Sequence, residues 1–132
     1  CRKAALAKEG STIEVWGDGL QTRSFLYIDE CIEAVQRLMD SDFKEPVNIG
    51  SEEMVSINEL AQIAIDCSGK DLTIKNLMGE EFEKKYGFPV PEGVRGRNSD
   101  NELFRNKVNY DPKYSLKDGM KTTFDWILQQ ID

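Results

Sequence analysis

Short extended runs and amphipathic helical runs alternate along this chain, and that alternation constrains the fold more than any other feature. Ile13-Glu14-Val15-Trp16 alternates with period two and stops at Gly17-Asp18-Gly19, which predicts a strand closed by a turn. Leu20 to Ile28 reads as a second extended run, with Gln21, Arg23, Phe25 and Tyr27 on one face and Leu20, Thr22, Ser24 and Leu26 on the other. Asp29 is placed to cap the next helix, whose apolar stripe is Ile32, Val35, Leu38 and Met39. Pro46-Val47-Asn48-Ile49-Gly50 reads as a short buried strand ending in a turn.

Ser56-Ile57-Asn58-Glu59 has the form of a capping box, opening a helix that buries Ile57, Leu60, Ala61, Ala64 and Cys67 and stops at Gly69. Leu72 to Lys75 reads as a strand. The stretch from Gly79 to Pro91 is the least regular, with one charged short helix over Glu80 to Lys85. A short helix over Asp100 to Lys107 and a turn at Asn109-Tyr110-Asp111-Pro112 precede the last helix, Leu116 to Ile131. Leu116, Met120, Phe124, Ile127, Leu128 and Ile131 form its core face. The fold class is α/β, and 132 residues suffice for one domain with a real core. Cys1 to Lys8 also reads as helix, without a cap or a starting Met, as expected of a piece of a longer chain.

Composition narrows the chemistry. Seventeen Lys and Arg against 24 Asp and Glu leave a net charge of −7, which repels a phosphate polymer and argues against nucleic-acid coating. The absence of histidine removes imidazole general bases, Ser-His triads and imidazole metal sites. No apolar run is long enough to span a membrane. Cys1, Cys31 and Cys67 are odd in number and far apart, the usage of free thiols in a reducing, cytoplasmic setting. Cys31 and Cys67 fall on apolar helix faces and are expected to be buried.

Few motifs carry chemistry. Gly17-Asp18-Gly19 imitates part of a dinucleotide fingerprint, but an extended run follows it, so no helix N-terminus would face a pyrophosphate. No Tyr is followed four residues later by Lys. Gly93-Val94-Arg95-Gly96 has the Gly-x-x-Gly form of some RNA clamps, yet it follows prolines rather than a helix. Lys3, Arg23 and Arg97 stand out against the acidic background as a candidate anion site, and Arg95 and Arg97 together could fork onto a phosphate or carboxylate.

Several segments, taken in order, resemble the C-terminal portion of an extended short-chain dehydrogenase/reductase acting on nucleotide sugars. They are Trp16 to Phe25, Tyr27-Ile28-Asp29-Glu30, Pro46 to Gly50, Ser56 to Leu60 and Pro91 to Asn101. The Glu92-to-Asn101 string is most similar to the branch of that family that epimerises GDP-mannose at C3 and C5. The resemblance implies a substrate-binding part, residues 1–132, lacking an N-terminal Rossmann domain that would hold NAD. It implies GDP-mannose or a related nucleotide sugar as ligand and a homodimeric parent. By the same resemblance Lys3 contacts substrate, Gln21, Thr22 and Arg23 form a substrate-binding strand edge, and Arg97 holds the diphosphate. No catalytic, cofactor-binding or metal-binding residue is expected within the chain, and Cys1 is not the catalytic cysteine. The glycine-rich loop, the Tyr-x-x-x-Lys pair and the Cys/Lys acid–base couple would all precede residue 1. For the parent the resemblance implies oxidation at C4 by NAD, proton exchange at C5 and C3, and hydride return.

Two departures accompany the likeness. The Asn76-to-Val90 stretch is about ten residues longer than such a loop needs, and Asn109-Tyr110 stands where Gly-Trp is common, a replacement Asn tolerates if the backbone there is left-handed. Another NAD-dependent nucleotide-sugar 4-epimerase, 4,6-dehydratase or decarboxylase is the alternative. Some apolar helix faces are expected to need the missing domain as cover.

Overall fold

The computed structural model describes residues 1–91 and 93–131. Helix α1 (Arg2–Leu6) leads into strand β1 (Thr12–Trp16), which pairs in parallel with β4 (Thr73–Leu77), Val15 facing Asn76 and Trp16 facing Leu77. Parallel strands need a long crossover, and here it contains β2 (Thr22–Ser24), α2 (Ile28–Asp40), β3 (Met54–Ser56) and α3 (Ile57–Ser68). β2 and β3 form a small antiparallel pair with Arg23 opposite Val55. Helices α4 (Gly79–Tyr86), α5 (Glu102–Val108) and α6 (Leu116–Gln129) complete the chain.

The main core lies between the β1/β4 pair and three helices. Ala4 of α1, Ala64 and Ile65 of α3, Leu72 and Phe124 of α6 are buried together, with Ile13 and Ile74 of the strands packed against them. Local chemistry fixes the helix ends. Ser56 Oγ accepts from the Glu59 amide at 3.1 Å while Glu59 Oε2 accepts from the Ser56 amide at 2.7 Å, the reciprocal capping box read from the sequence. Gly69 closes α3 at φ 65°. Helix α1 ends on a lysine: Lys70 Nζ donates to the carbonyls of Ala5 at 2.6 Å and Ala7 at 2.8 Å, so an ammonium meets the negative end of the helix.

Several expectations need correction. Asp29 does not cap α2, because the helix begins two residues earlier than that, with Tyr27 at the cap and Asp29 inside the first turn. The Leu20-to-Ile28 run is a strand only over Thr22–Ser24. The α2 stripe does not face this chain's core: Ile32, Val35 and Met39 are 41% to 76% exposed, while Ala34 and Glu30 on the other side are buried. Pro46 to Gly50 joins no strand among the described residues, and no backbone–backbone hydrogen bond ties it to a neighbour. Amphipathic period and β-propensity reveal that a face wants cover, but not what covers it. In α3 only Ala64 of the expected set is fully buried, together with Ile65; on α6, Leu128 is exposed and Ile131 lies past the helix end. Cys1, Cys31 and Cys67 are free and half-buried rather than fully buried. Asn109 is left-handed at φ 53°, the conformation in which an Asn can stand in the place of Gly.

Candidate functional site

The site is built around the tight turn that ends β1. Gly17 (φ 77°) and Gly19 (φ 69°) take backbone conformations that suit glycine alone. The turn is then clamped from three directions. The Asn58 amide donates to Gly19 O at 3.0 Å and the Ile57 amide to Gln21 O at 3.0 Å, so the otherwise unsatisfied first-turn donors of α3 hold the strand entry. Asn58 Nδ2 donates to Asp18 O at 3.0 Å, and Asn76 Nδ2 donates both to Gly17 O at 3.1 Å and to Asn58 Oδ1 at 3.0 Å. Asp18 Oδ1 accepts from the Leu20 amide, and Arg95 Nη1 pairs with Asp18 Oδ2 at 2.8 Å. The Leu20 N–H and the Arg95 guanidinium hold the Asp18 carboxyl below the usual carboxylate range.

Beyond the turn, β2 carries Thr22 and Arg23 past the 95–97 segment. Thr22 N donates to Arg95 O at 2.9 Å and Arg97 N to Thr22 O at 3.1 Å, making Thr22 and Gly96 bridge partners. A side chain at Gly96 would press on Thr22 Oγ1 at 3.0 Å, so the glycine permits the close approach. The Arg23 guanidinium is braced by backbone: Nη1 donates to Thr22 O at 2.6 Å and Nη2 to Val94 O at 2.7 Å. Its fork retains donors for a ligand.

Arg23 and Arg97 line one cavity of about 360 Å3, together with Asn48 and Ser99. Among the described residues neither arginine is paired with a carboxylate, and Lys3 is unpaired too. Two unpaired guanidiniums on one concavity suit a planar, bidentate anion such as a phosphate. Gln21 lines a second cavity of about 370 Å3, with Arg95 across it. Arg95 is committed to Asp18 and does not fork with Arg97. Lys3 does not join either cavity; its Nζ donates to Glu14 O at 3.3 Å on β1. So Arg23 and Arg97 converge, Thr22 links them through backbone, Gln21 lies next door, and Lys3 is apart.

Sequence reasoning passed over Asn58 and Asn76. A polar Asn inside the β4 pattern and another in the first turn of a helix were the available signals. No group of three His, Cys, Asp or Glu able to hold a metal occurs among the described residues. Nor do those residues offer a dinucleotide cradle: the Gly17–Gly19 turn is followed by β2, not by a helix.

By its fold the chain belongs with the C-terminal region of extended short-chain dehydrogenase/reductase epimerases and dehydratases. The family model described as GDP-mannose 4,6 dehydratase matches residues 1–123, and the chain belongs to that family. It is 51% identical over all 132 residues to GDP-mannose 3,5-epimerase 1 of Oryza sativa subsp. indica, and 50% identical to GDP-mannose 3,5-epimerase of Arabidopsis thaliana. The chain spans about a third of the length of these relatives, 32% in each case. UDP-glucuronic acid 4-epimerase from Bacillus cereus, solved with UDP-glucuronic acid and NAD, superposes with a TM-score of 0.78 at 28% identity, over 98% of this chain and 38% of that one. Among the described residues no helix is long and apolar enough to cross a membrane.

Proposed function

We propose that residues 1–132 are the C-terminal, nucleotide-sugar-binding portion of a GDP-mannose 3,5-epimerase-like enzyme. Arg23 and Arg97 hold the diphosphate, Gln21 and Thr22 form the strand edge beside it, and Lys3 contacts substrate from α1. The observation that carries this reading is the convergence on one cavity of two arginines that have no carboxylate partner among the described residues, in a chain about half identical to such epimerases.

NAD, held by residues outside this chain, supplies the reversible oxidation that makes the carbons beside the sugar C4 acidic. The residues here bind and orient: a diphosphate fixed by forked guanidiniums presents its sugar in one pose, and fixed pose is what proton exchange at two neighbouring carbons needs. The exposed α2 stripe packs on the NAD-binding part, the free thiols fit a cytoplasmic setting, and the complete enzyme is a homodimer. A second reading, in which the product is that of a 4-epimerase, 4,6-dehydratase or decarboxylase, is favoured by the dehydratase family match and by the 4-epimerase superposition.

The test is carried out on the full-length protein. GDP-mannose is supplied and the products are resolved by proton NMR. The reading expects epimers inverted at C5, or at C3 and C5; inversion at C4 alone or loss of water selects the second reading. Its decarboxylase form is tested separately by supplying UDP-glucuronic acid, the substrate type from which carbon dioxide could be released. Arg23→Ala and Arg97→Ala each weaken GDP binding by about 1.5–3 kcal/mol, the worth of a hydrogen bond to a charged group. Unchanged affinity in both variants refutes the site.

A further inference from the structure

We propose that the segment from Met78 to Pro91 is a selectivity element that sets which nucleoside the protein accepts. The inference rests on the nucleotide-sugar reading and goes beyond it to residues no part of that reading uses.

The segment is anchored far more firmly than a surface excursion needs. Phe82 of α4 is fully buried, and with Tyr86 and Phe88 it surrounds Trp16: the Trp16–Phe82 and Trp16–Tyr86 ring centroids lie 5.2 and 5.0 Å apart and the Trp16–Phe88 pair 6.2 Å. Lys85 pairs with Glu14, and Tyr86 OH donates to Glu14 Oε2 at 3.1 Å. Trp16 is the last residue of β1, immediately before the glycine turn. The excursion is therefore fastened to the strand that delivers the site.

Its two ends form a wall of the cavity that contains Gln21. Met78 and Gly79 from the start of the segment and Val90 and Pro91 from its end line that cavity together with Arg95. Val90 reaches in far enough that a side chain at Gly17 would lie 3.6 Å from its Cγ1. In the same place Gln21 Oε1 is buried and has no hydrogen-bond partner. A buried acceptor left unspent is costly, and because Gln21 lines the cavity, a turn of its side chain toward that space would let a ligand N–H satisfy it.

The chain itself links this cavity to the one lined by Arg23 and Arg97: Gln21 lines the first, Arg23 the second, and Thr22 stands between them. Gln21 and Arg23 are two positions apart on an extended chain, about 7 Å, comparable to the reach from a nucleotide's phosphates across the ribose to its base. A ligand with its diphosphate on the arginines places its base between Gln21 and the wall. Guanine carries adjacent ring N–H and amino donors for Gln21, and its fused rings fill more of the space than a pyrimidine does.

Calorimetric titration of the full-length protein with GDP, UDP and inorganic pyrophosphate tests this. Val90→Trp narrows the cavity from one end, and Met78→Trp, at a half-exposed position, narrows it from the other. In the wild type, GDP should bind more tightly than UDP or pyrophosphate. In either Trp variant GDP should weaken by about tenfold or more, UDP by less, and pyrophosphate should stay within about twofold. If GDP and UDP weaken equally, if pyrophosphate falls as far as GDP, or if neither variant changes anything, the segment does not select the nucleoside. If the wild type binds none of the three, the nucleotide-sugar reading fails and this inference falls with it. Arg23→Ala separates the two ideas, since it should weaken pyrophosphate and both nucleotides together.

Discussion

A methyl group at Gly19 would lie 2.0 Å from Asn58 Oδ1, and the backbone there is left-handed at φ 69°. Two penalties coincide: about 1–3 kcal/mol for a non-glycine residue in that conformation, and displacement of the Asn58 side chain that holds the Asp18 carbonyl. Gly19→Ala should therefore destabilise the protein by at least the first amount, measured by urea unfolding, and should weaken GDP binding through the misplaced β2 edge. A variant as stable as wild type would mean the turn can relax without Asn58. Glu30 is a residue whose role composition conceals. It is buried, and its Oε1 accepts the backbone amides of Lys113 and of Tyr114 at 3.0 Å, fastening the loop before α6 to α2. A glutamate in the first turn of an amphipathic helix reads as a dipole partner; only the fold brings residues 113 and 114 to it.

At the scale of elements, each attachment has its own chemistry. Helix α1 has five residues, too few to be stable alone, and its end carbonyls are held by Lys70. Lys70→Met keeps the stem and removes the donors, and should cost about 1.5–3 kcal/mol in unfolding free energy; no change would show that the carbonyls are equally well served by water. Helix α4 is held by aromatic rings and by Glu14. The hydrogen bond from Lys85 is the largest influence on the Glu14 carboxyl, and with the lesser bond from Tyr86 it outweighs desolvation and lowers the pKa. A carboxyl depressed in the folded state contributes stability above its unfolded pKa, and that contribution is lost as pH falls through the folded value. Attachment of α4 should thus weaken on acidification below about pH 4. Tryptophan fluorescence from Trp16 is the readout, and Glu14→Gln should flatten that response; an identical acid titration in the variant would refute the role.

At the scale of the whole molecule, the described residues leave a large apolar surface uncovered. Ile28, Ile32, Val35 and Met39 follow one another at helical spacing on α2 and are all at least 41% exposed, and the Pro46-to-Gly50 segment has no strand partner. Uncovered apolar area is burial forgone at roughly 25 cal/mol per Å2. The 132-residue chain by itself should melt below the ~45–65 °C usual for mesophilic domains and bind a hydrophobic dye. Ile32→Lys with Val35→Glu should change that melting point little, because both residues are about half exposed here, while lowering the stability of the full-length protein. A high, sharp transition for the short chain, or a large loss in the double variant of it, would contradict this.

The sequence by itself determined the local elements and the residue types of the site. The capping box at Ser56 and Glu59, the β1 and β4 strands, the left-handed Asn109 and the placing of Arg23 on a strand follow from short-range rules: side-chain hydrogen bonds to nearby amides, period-two alternation and steric limits on φ. Tertiary structure decided the rest. It separated Lys3 from the arginines, brought Arg97 to Thr22 across more than seventy residues of chain, gave Arg95 to Asp18, and turned the irregular 78–91 stretch into an aromatic anchor around Trp16. It also left outward the α2 stripe that periodicity marks as apolar. Period and propensity act over a turn or two of chain, whereas convergence and cover depend on which distant surfaces meet, and that is settled only when the whole set of packing choices is made together.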